Sequence, residues 1–316
     1  MYSNPNHGHL VDIAQLLNPI NANVPVDFCS ETEHVGILRN ISGNLPNLLQ
    51  RISAHKKSLG FLLTAGMAYS HRGNPAASLR VHQVYTTPVL FSGLAALHLS
   101  KSEINLIDSH FLTTLKRIQR LHEKTPRAVV LFLAGSLPGE AILHTRQLTL
   151  FSMICRLPND PLYAHAHYVL SCLPKSSNSW FLQIRNICLK YSLPHPLELL
   201  QCPPPKLRFK TLVKKNVKVY WEKLLREETQ NLTSLIFFDT SRLSLQQQSM
   251  LQLATGSNSY ESSKTLVVGK MQSGRYITDY LSRHWTPSNR MGYCLAPTCH
   301  EVVGDLVHLL INCSSL

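Results

Sequence analysis

Cys294, Cys299, His308 and Cys313 stand in the pattern Cys-x4-Cys-x8-His-x4-Cys. Two close thiols, a short spacer, then a His and a Cys five apart is the ligand order of a closed structural zinc site. Four soft or borderline donors there surround one ion as a tetrahedron. Pro297, between the first two thiols, favours the tight turn such a knuckle requires. The second pair closes the apolar stretch Asp305–Cys313, whose pattern predicts one or two helical turns. Five residues advance about 140° beyond a full turn, so Cys313 is expected where that helix unwinds. Asp305, one turn before His308, is placed to accept a hydrogen bond from the imidazole, or simply to sit as a carboxylate at a helix N-terminus. His300 is a poorer ligand, because it would share an ion with Cys299 across one peptide bond. The competing reading is buried thiols beside a surface His.

Other reactive residue types are scattered. Two-metal phosphoryl transfer needs converging carboxylates, whereas Asp108, Asp160, Asp239, Asp279 and Asp305 are isolated in sequence. Glu227 and Glu228 are neighbours on a predicted helix and point about 100° apart. His165 and His167, two apart, are expected to point their rings to different faces. There is no Gly-rich phosphate loop, no nucleophile elbow and no His-Glu-x-x-His. No catalytic residue is assigned, and the chain alone is expected neither to polymerise nor to cleave nucleic acid.

Charge then selects the partner. The 316 residues carry 31 Lys+Arg against 18 Asp+Glu, a net charge of +13 and a pI near 9.5. Such an excess points to a polyanion, nucleic acid or an anionic membrane. No stretch reaches the ~18 apolar residues needed to span a bilayer; Thr87–Leu99 comes closest and is broken by Ser92 and Gly93. No secretory signal opens the chain, and its eight cysteines fit a reducing compartment better than a disulfide framework. The expectation is an intracellular protein, nuclear or cytoplasmic, that binds RNA or single-stranded DNA and takes neither membrane nor small-molecule substrate.

Lys206–Arg226 holds eight Lys/Arg in 21 residues, interleaved with Phe209, Tyr220 and Trp221. Lys206, Arg208, Lys210, Lys214, Lys215 and Lys218 are the expected phosphate contacts, with Lys56, Lys57 and Arg80 as further candidates. The aromatic residues read better as core than as stacking platforms for bases.

Elements must position these groups, and the signal is mostly α-helical. Residues 1–23 read as a loose polar segment. Val24–Leu38 reads as a hairpin, with Val24–Cys29 as one strand, Ser30–Glu33 as the turn and His34–Leu38 as the return. A helix carries Leu45, Leu48, Leu49 and Ile52 on one face and His55, Lys56 and Lys57 at its far end. A second runs from about Asn74 to Leu99, with Arg80 and His82 early, and is kinked or divided at Pro88. Ser100-Lys-Ser-Glu103 forms a capping box. The helix it opens sets Ile104, Ile107, Phe111, Leu115, Ile118 and Leu121 on one face, opposite Lys116, Arg117 and Arg120. Gly135–Gly139 separates two helices, the second running through Arg156. Asp160-Pro161 starts another, and Ser179–Tyr191 a further one. Leu193–Pro205, with its triple proline, is the natural boundary before the basic region.

Taken in order, these segments resemble the C-terminal part of a reverse transcriptase from a non-LTR (LINE-type) retrotransposon. Glu33-His34-Val35-Gly36-Ile37 resembles the H/Y-L-G-I strand of that family's primer-grip hairpin, and Asn44–Gly60 its first thumb helix. Val84-Tyr-Thr-Thr-Pro88-Val-Leu-Phe-Ser-Gly93 resembles the P-x-L-x-Y-G helix that follows. Leu115–Leu133, with Ile118-Gln119-Arg120 and Leu137-Pro138, resembles the stretch after the thumb. Cys294, Cys299, His308-Leu-Leu and Cys313 resemble the closing Cys-Cys-His-Cys module. The resemblance implies a primer-grip-like hairpin and thumb-like helices over 24–134, a helical connection over 135–202, a basic helical region over 206–288 and a zinc knuckle over 289–316. It also implies template-primer or RNA binding. The family's fingers, palm and Tyr-x-Asp-Asp strand have no counterpart here, so the chain is expected to be a truncated copy or incomplete gene model. The absent palm and fingers then become potential partners. Two rivals stand against this reading, a non-enzymatic helical scaffold whose zinc staples its C-terminus, and an enzyme with an unfamiliar site.

Overall fold

The computed structural model describes residues 30–34, 37–40, 43–64, 75–174 and 178–232, together with 235, 238, 244, 245, 267–271, 299, 308 and 313. Two compact units divide the chain, Met1–Leu49 and Gln50–Leu316.

In the first unit, β1 (Glu31–His34) pairs antiparallel with β2 (Ile37–Asn40), in the register Glu31 to Asn40 and His34 to Ile37. This corrects the expected hairpin. Glu31–Glu33, read as part of its turn, belong to the first strand, and only Val35 and Gly36 are left to join the pair. Strand pairing overrides local polarity here, since Glu31–Glu33 pair with Leu38–Asn40. The expected first strand, Val24–Cys29, lies outside the described residues. Ile37 is half-buried.

The rest is helical. Helix α1 (Leu45–Thr64) begins in the first unit and continues into the second, where it buries Ile52 and His55. The expected 74–99 helix is divided into α2 (Pro75–Val81), a π-helical turn (His82–Thr86), α3 (Thr87–Leu90) and a 3-10 turn (Leu94–Ala96). Pro88 cannot donate to the carbonyl four residues back, so a continuous α ladder fails at this point.

The capping box of α4 (Lys101–Ile118) is complete, with the Ser100 amide donating to Glu103 Oε2 at 2.7 Å and Ser100 Oγ accepting from the Glu103 amide at 3.3 Å. All six apolar positions expected on its inner face, Ile104 through Leu121, are buried. Helix α5 (Arg127–Ala134) is buried along Ala128–Ala134, as an all-round apolar helix should be. It ends on Gly135 at φ 57°, where a side chain would be strained.

Helices α6 (Gly139–Ile154), α7 (Pro161–Cys172), α8 (Trp180–Lys190) and α9 (Pro196–Gln201) follow, and α10 (Lys206–Gln230) packs across α5 and α6. Asp160 caps α7 by accepting the Leu162 amide at 2.8 Å, with Pro161 in the first helical position. Pro203–Pro205 fall between α9 and α10, and Pro205 opens α10 without a side-chain cap. Among the described residues no single helix is long and apolar enough to cross a membrane.

Candidate metal centre and basic face

Cys299, His308 and Cys313 are drawn together from separate points of the chain. One ligand atom from each lies within 4.8 Å of the others, with Cys299 and His308 buried and Cys313 half-buried. Cys299 Sγ and Cys313 Sγ are 3.8 Å apart. Two sulfurs each ~2.3 Å from one tetrahedral ion sit ~3.8 Å from one another. The donor set fits a metal ion: soft thiolates and a borderline imidazole, clustered away from water. Cys294, Asp305 and His300 lie outside the described residues.

Helix α10 sorts its side chains by chemistry. Phe209, Val213, Val217, Trp221 and Leu225 recur at four-residue spacing and are all buried. Lys206, Arg208, Lys210, Lys214 and Lys215 are exposed. Lys218 is half-buried and pairs with Glu222 at 3.8 Å, so it is the least available of the six expected contacts. Trp221 and Phe209 are core, as read from sequence, and Tyr220 is half-buried against Tyr191. Lys56, Lys57 and Arg80 are exposed on α1 and α2.

The anchor of α10 is a polar network inside the bundle that sequence periodicity does not disclose. Trp221 Nε1 donates to Tyr191 Oη at 3.0 Å, and Tyr191 Oη meets His144 Nδ1 at 2.9 Å. His144 Nε2 faces Glu140 at 3.8 Å, while Glu140 is held by Lys190 at 2.5 Å. Burial lowers the His144 pKa to about 4 despite Glu140. The imidazole is therefore neutral near pH 7, and its proton belongs on Nε2 so that Nδ1 can accept the phenol O–H. Burial raises the Tyr191 pKa as well. Lys190 completes the cluster 4.8 Å above the Trp221 ring, a cation–π contact. Glu140, His144 and Lys190 also border a cavity of about 520 Å³ between the starts of α4 and α8.

The remaining candidates resolve individually. Asp108 accepts from α6 and pairs with Arg127, and Asp160 caps α7. Asp239, Asp279 and Asp305 lie outside the described residues. His165 and His167 are exposed. Cys155 and Cys188 are buried, with pKa values pushed up to about 12 by desolvation, so both stay thiols near neutral pH. His55 and His82, which stand close to basic residues in the sequence, are fully buried. The signal was not local, since their ring neighbours are each other, His110 and Phe111.

No family model, curated protein sequence or solved structure matches this chain.

Proposed function

We propose that the chain is the nucleic-acid-binding, C-terminal part of a non-LTR retrotransposon reverse transcriptase, with zinc in a Cys294–Cys299–His308–Cys313 knuckle. The observation that carries the binding reading is the division of α10. Its aromatic residues anchor it to α5, α6 and Tyr191, leaving Lys206, Arg208, Lys210, Lys214 and Lys215 in water along a rigid helix. A protein carrying +13 gains most of its affinity for a single strand from phosphate neutralisation and counterion release. With the rings turned inward, base stacking by this helix contributes little, so binding is electrostatic and weakly sequence-specific.

Zinc is supported by the spacing of the four ligands and by the 3.8 Å sulfur separation. Three thiolates and one neutral imidazole fill a tetrahedron, so the ion is structural and leaves no position for a substrate. The family reading rests on the collinear motifs and on the His308-Leu-Leu cadence.

The test is fluorescence anisotropy of the full chain with a labelled single-stranded RNA, and with a primer–template duplex, across a salt series. Affinity should fall linearly on logarithmic axes as salt rises. Binding that is absent at low salt, or indifferent to salt, favours the zinc-stapled scaffold instead.

A further inference from the structure

We propose that His55, His82 and His110 form a second transition-metal site, distinct from the Cys-rich knuckle and built wholly of imidazole. The three side chains come from three elements, the second half of α1, the π-helical turn and the middle of α4. His55 lies between the others, with ring centroids 5.5 Å from His82 and 5.1 Å from His110. His55 Nδ1 and His110 Nε2 face each other at 2.9 Å. Two imidazole nitrogens on one tetrahedral ion stand ~3.3 Å apart, so a small pivot converts this contact into a chelating pair.

Burial makes the cluster unusual. His55 and His82 are 0% and 1% exposed, and His55 Nε2 with both ring nitrogens of His82 has no hydrogen-bond partner. Three orphaned polar atoms in one pocket cost several times ~1–3 kcal/mol unless something satisfies them. A cation held between His55 Nδ1 and His110 Nε2 would take the lone pair of His82 as well, satisfying one of the two orphaned His82 nitrogens.

His82 also begins the π-helical turn, and its carbonyl accepts the hydroxyls of Thr86 and Thr87 at 3.1 and 3.0 Å. Such turns displace a side chain from the α-helical path and are frequent at functional sites. In the arrangement described, His82 has not brought a nitrogen within 4.8 Å of both partners, so its ring must turn about its side-chain torsions to complete the site. The imidazoles are kept in their ligand form by desolvation, which lowers His55 to about 3 and His82 to about 4. Two exposed cations, Lys56 and Arg117, act on His110 and oppose an incoming ion. The site is therefore weaker than the knuckle, and suits the borderline divalent ions that imidazole prefers, zinc, nickel or copper(II).

Cobalt(II) titration of the full chain separates the two sites. In the Cys299→Ser plus Cys313→Ser protein one equivalent should still bind, giving ligand-field bands without sulfur-to-cobalt charge transfer. Adding His82→Phe, which keeps a flat ring and removes both orphaned nitrogens, should lower that affinity at least tenfold while circular dichroism stays unchanged. His110→Gln, at a half-buried position, gives an independent reading and should do the same. If the double serine protein binds no cobalt, or if a folded His82→Phe or His110→Gln protein binds it as before, the proposal is wrong.

Discussion

The carboxylate of Asp108, on α4, accepts the Glu140 backbone N–H at the head of α6, 3.3 Å away, while its other oxygen meets Arg127 at 3.2 Å. Pro138 precedes α6 and has no side chain able to cap it. A neighbouring helix thus supplies the acceptor that the local sequence lacks. Gly139 permits the approach, since a Cβ there would stand 3.1 Å from the carboxylate and 3.3 Å from the Asp108 Cα. Asp108→Ala removes both partners and should cost ~1–2 kcal/mol, the usual loss for a missing N-terminal cap. Urea unfolding checks it; an unchanged midpoint would mean that water caps α6 equally well.

Acid should destabilise the bundle through its buried histidines. Desolvation lowers His55 to about 3, His82 to about 4 and His144 to about 4, all below the ordinary value of 6.5. The unfolded chain then binds the protons that the folded chain refuses. Stability is complete above ~6.5 and declines as pH falls toward the folded values, by up to ~1.4 kcal/mol per pH unit for each histidine. His82→Phe should remove one histidine's share of that slope. Equal slopes for the two proteins between pH 6 and pH 5 would show that His82 is protonated in the fold.

Much of this was legible beforehand because the signals are local. A Ser-x-x-Glu box, an Asp-Pro start and a stripe at helical spacing each act within one or two turns, and α4 and α7 appear where those rules put them. The Cys299–His308–Cys313 group was legible for a different reason, since ligand chemistry fixes residue type and spacing together. The histidine cluster and the Trp221–Tyr191–His144 network were not, because partners separated by 27 to 55 residues leave no periodic trace. The hairpin was misplaced by composition. Polar Ser30–Glu33 favour a turn by residue type, whereas Glu31–Glu33 pair with Leu38–Asn40 in the sheet.

The two faces of α10 should respond oppositely to mutation. Trp221→Ala removes a ring that is 2% exposed, together with its hydrogen bond to Tyr191. It should cost ~3–5 kcal/mol, as for other large buried aromatics. Lys214→Ala plus Lys215→Ala touches only exposed ammonium groups. Stability should hold within ~0.5 kcal/mol, while RNA affinity falls and the salt slope flattens by roughly 0.7 for each lost phosphate contact. If affinity and slope do not move, this helix face is merely solvated.

Zinc should hold the C-terminal segment together. Cys299, His308 and Cys313 already present their ligand atoms within 4.8 Å of one another, and Cys294 is the fourth donor by spacing. Some twenty residues between the outer ligands cannot bury a core of their own, so ion binding and local folding are one event. Purified chain should carry zinc that a strong chelator removes, and hydrogen exchange over 294–313 should then accelerate sharply while α4 to α10 keep their protection. Cys299→Ser replaces a thiolate by a hydroxyl that zinc binds poorly, so this protein should lose the tightly held equivalent. Asp305→Asn should weaken affinity by no more than about tenfold if the carboxylate orients His308 from outside the coordination sphere. A Cys299→Ser chain that keeps tightly bound zinc, or exchange that ignores the chelator, would rule out the knuckle and leave the three residues as a buried thiol–imidazole cluster.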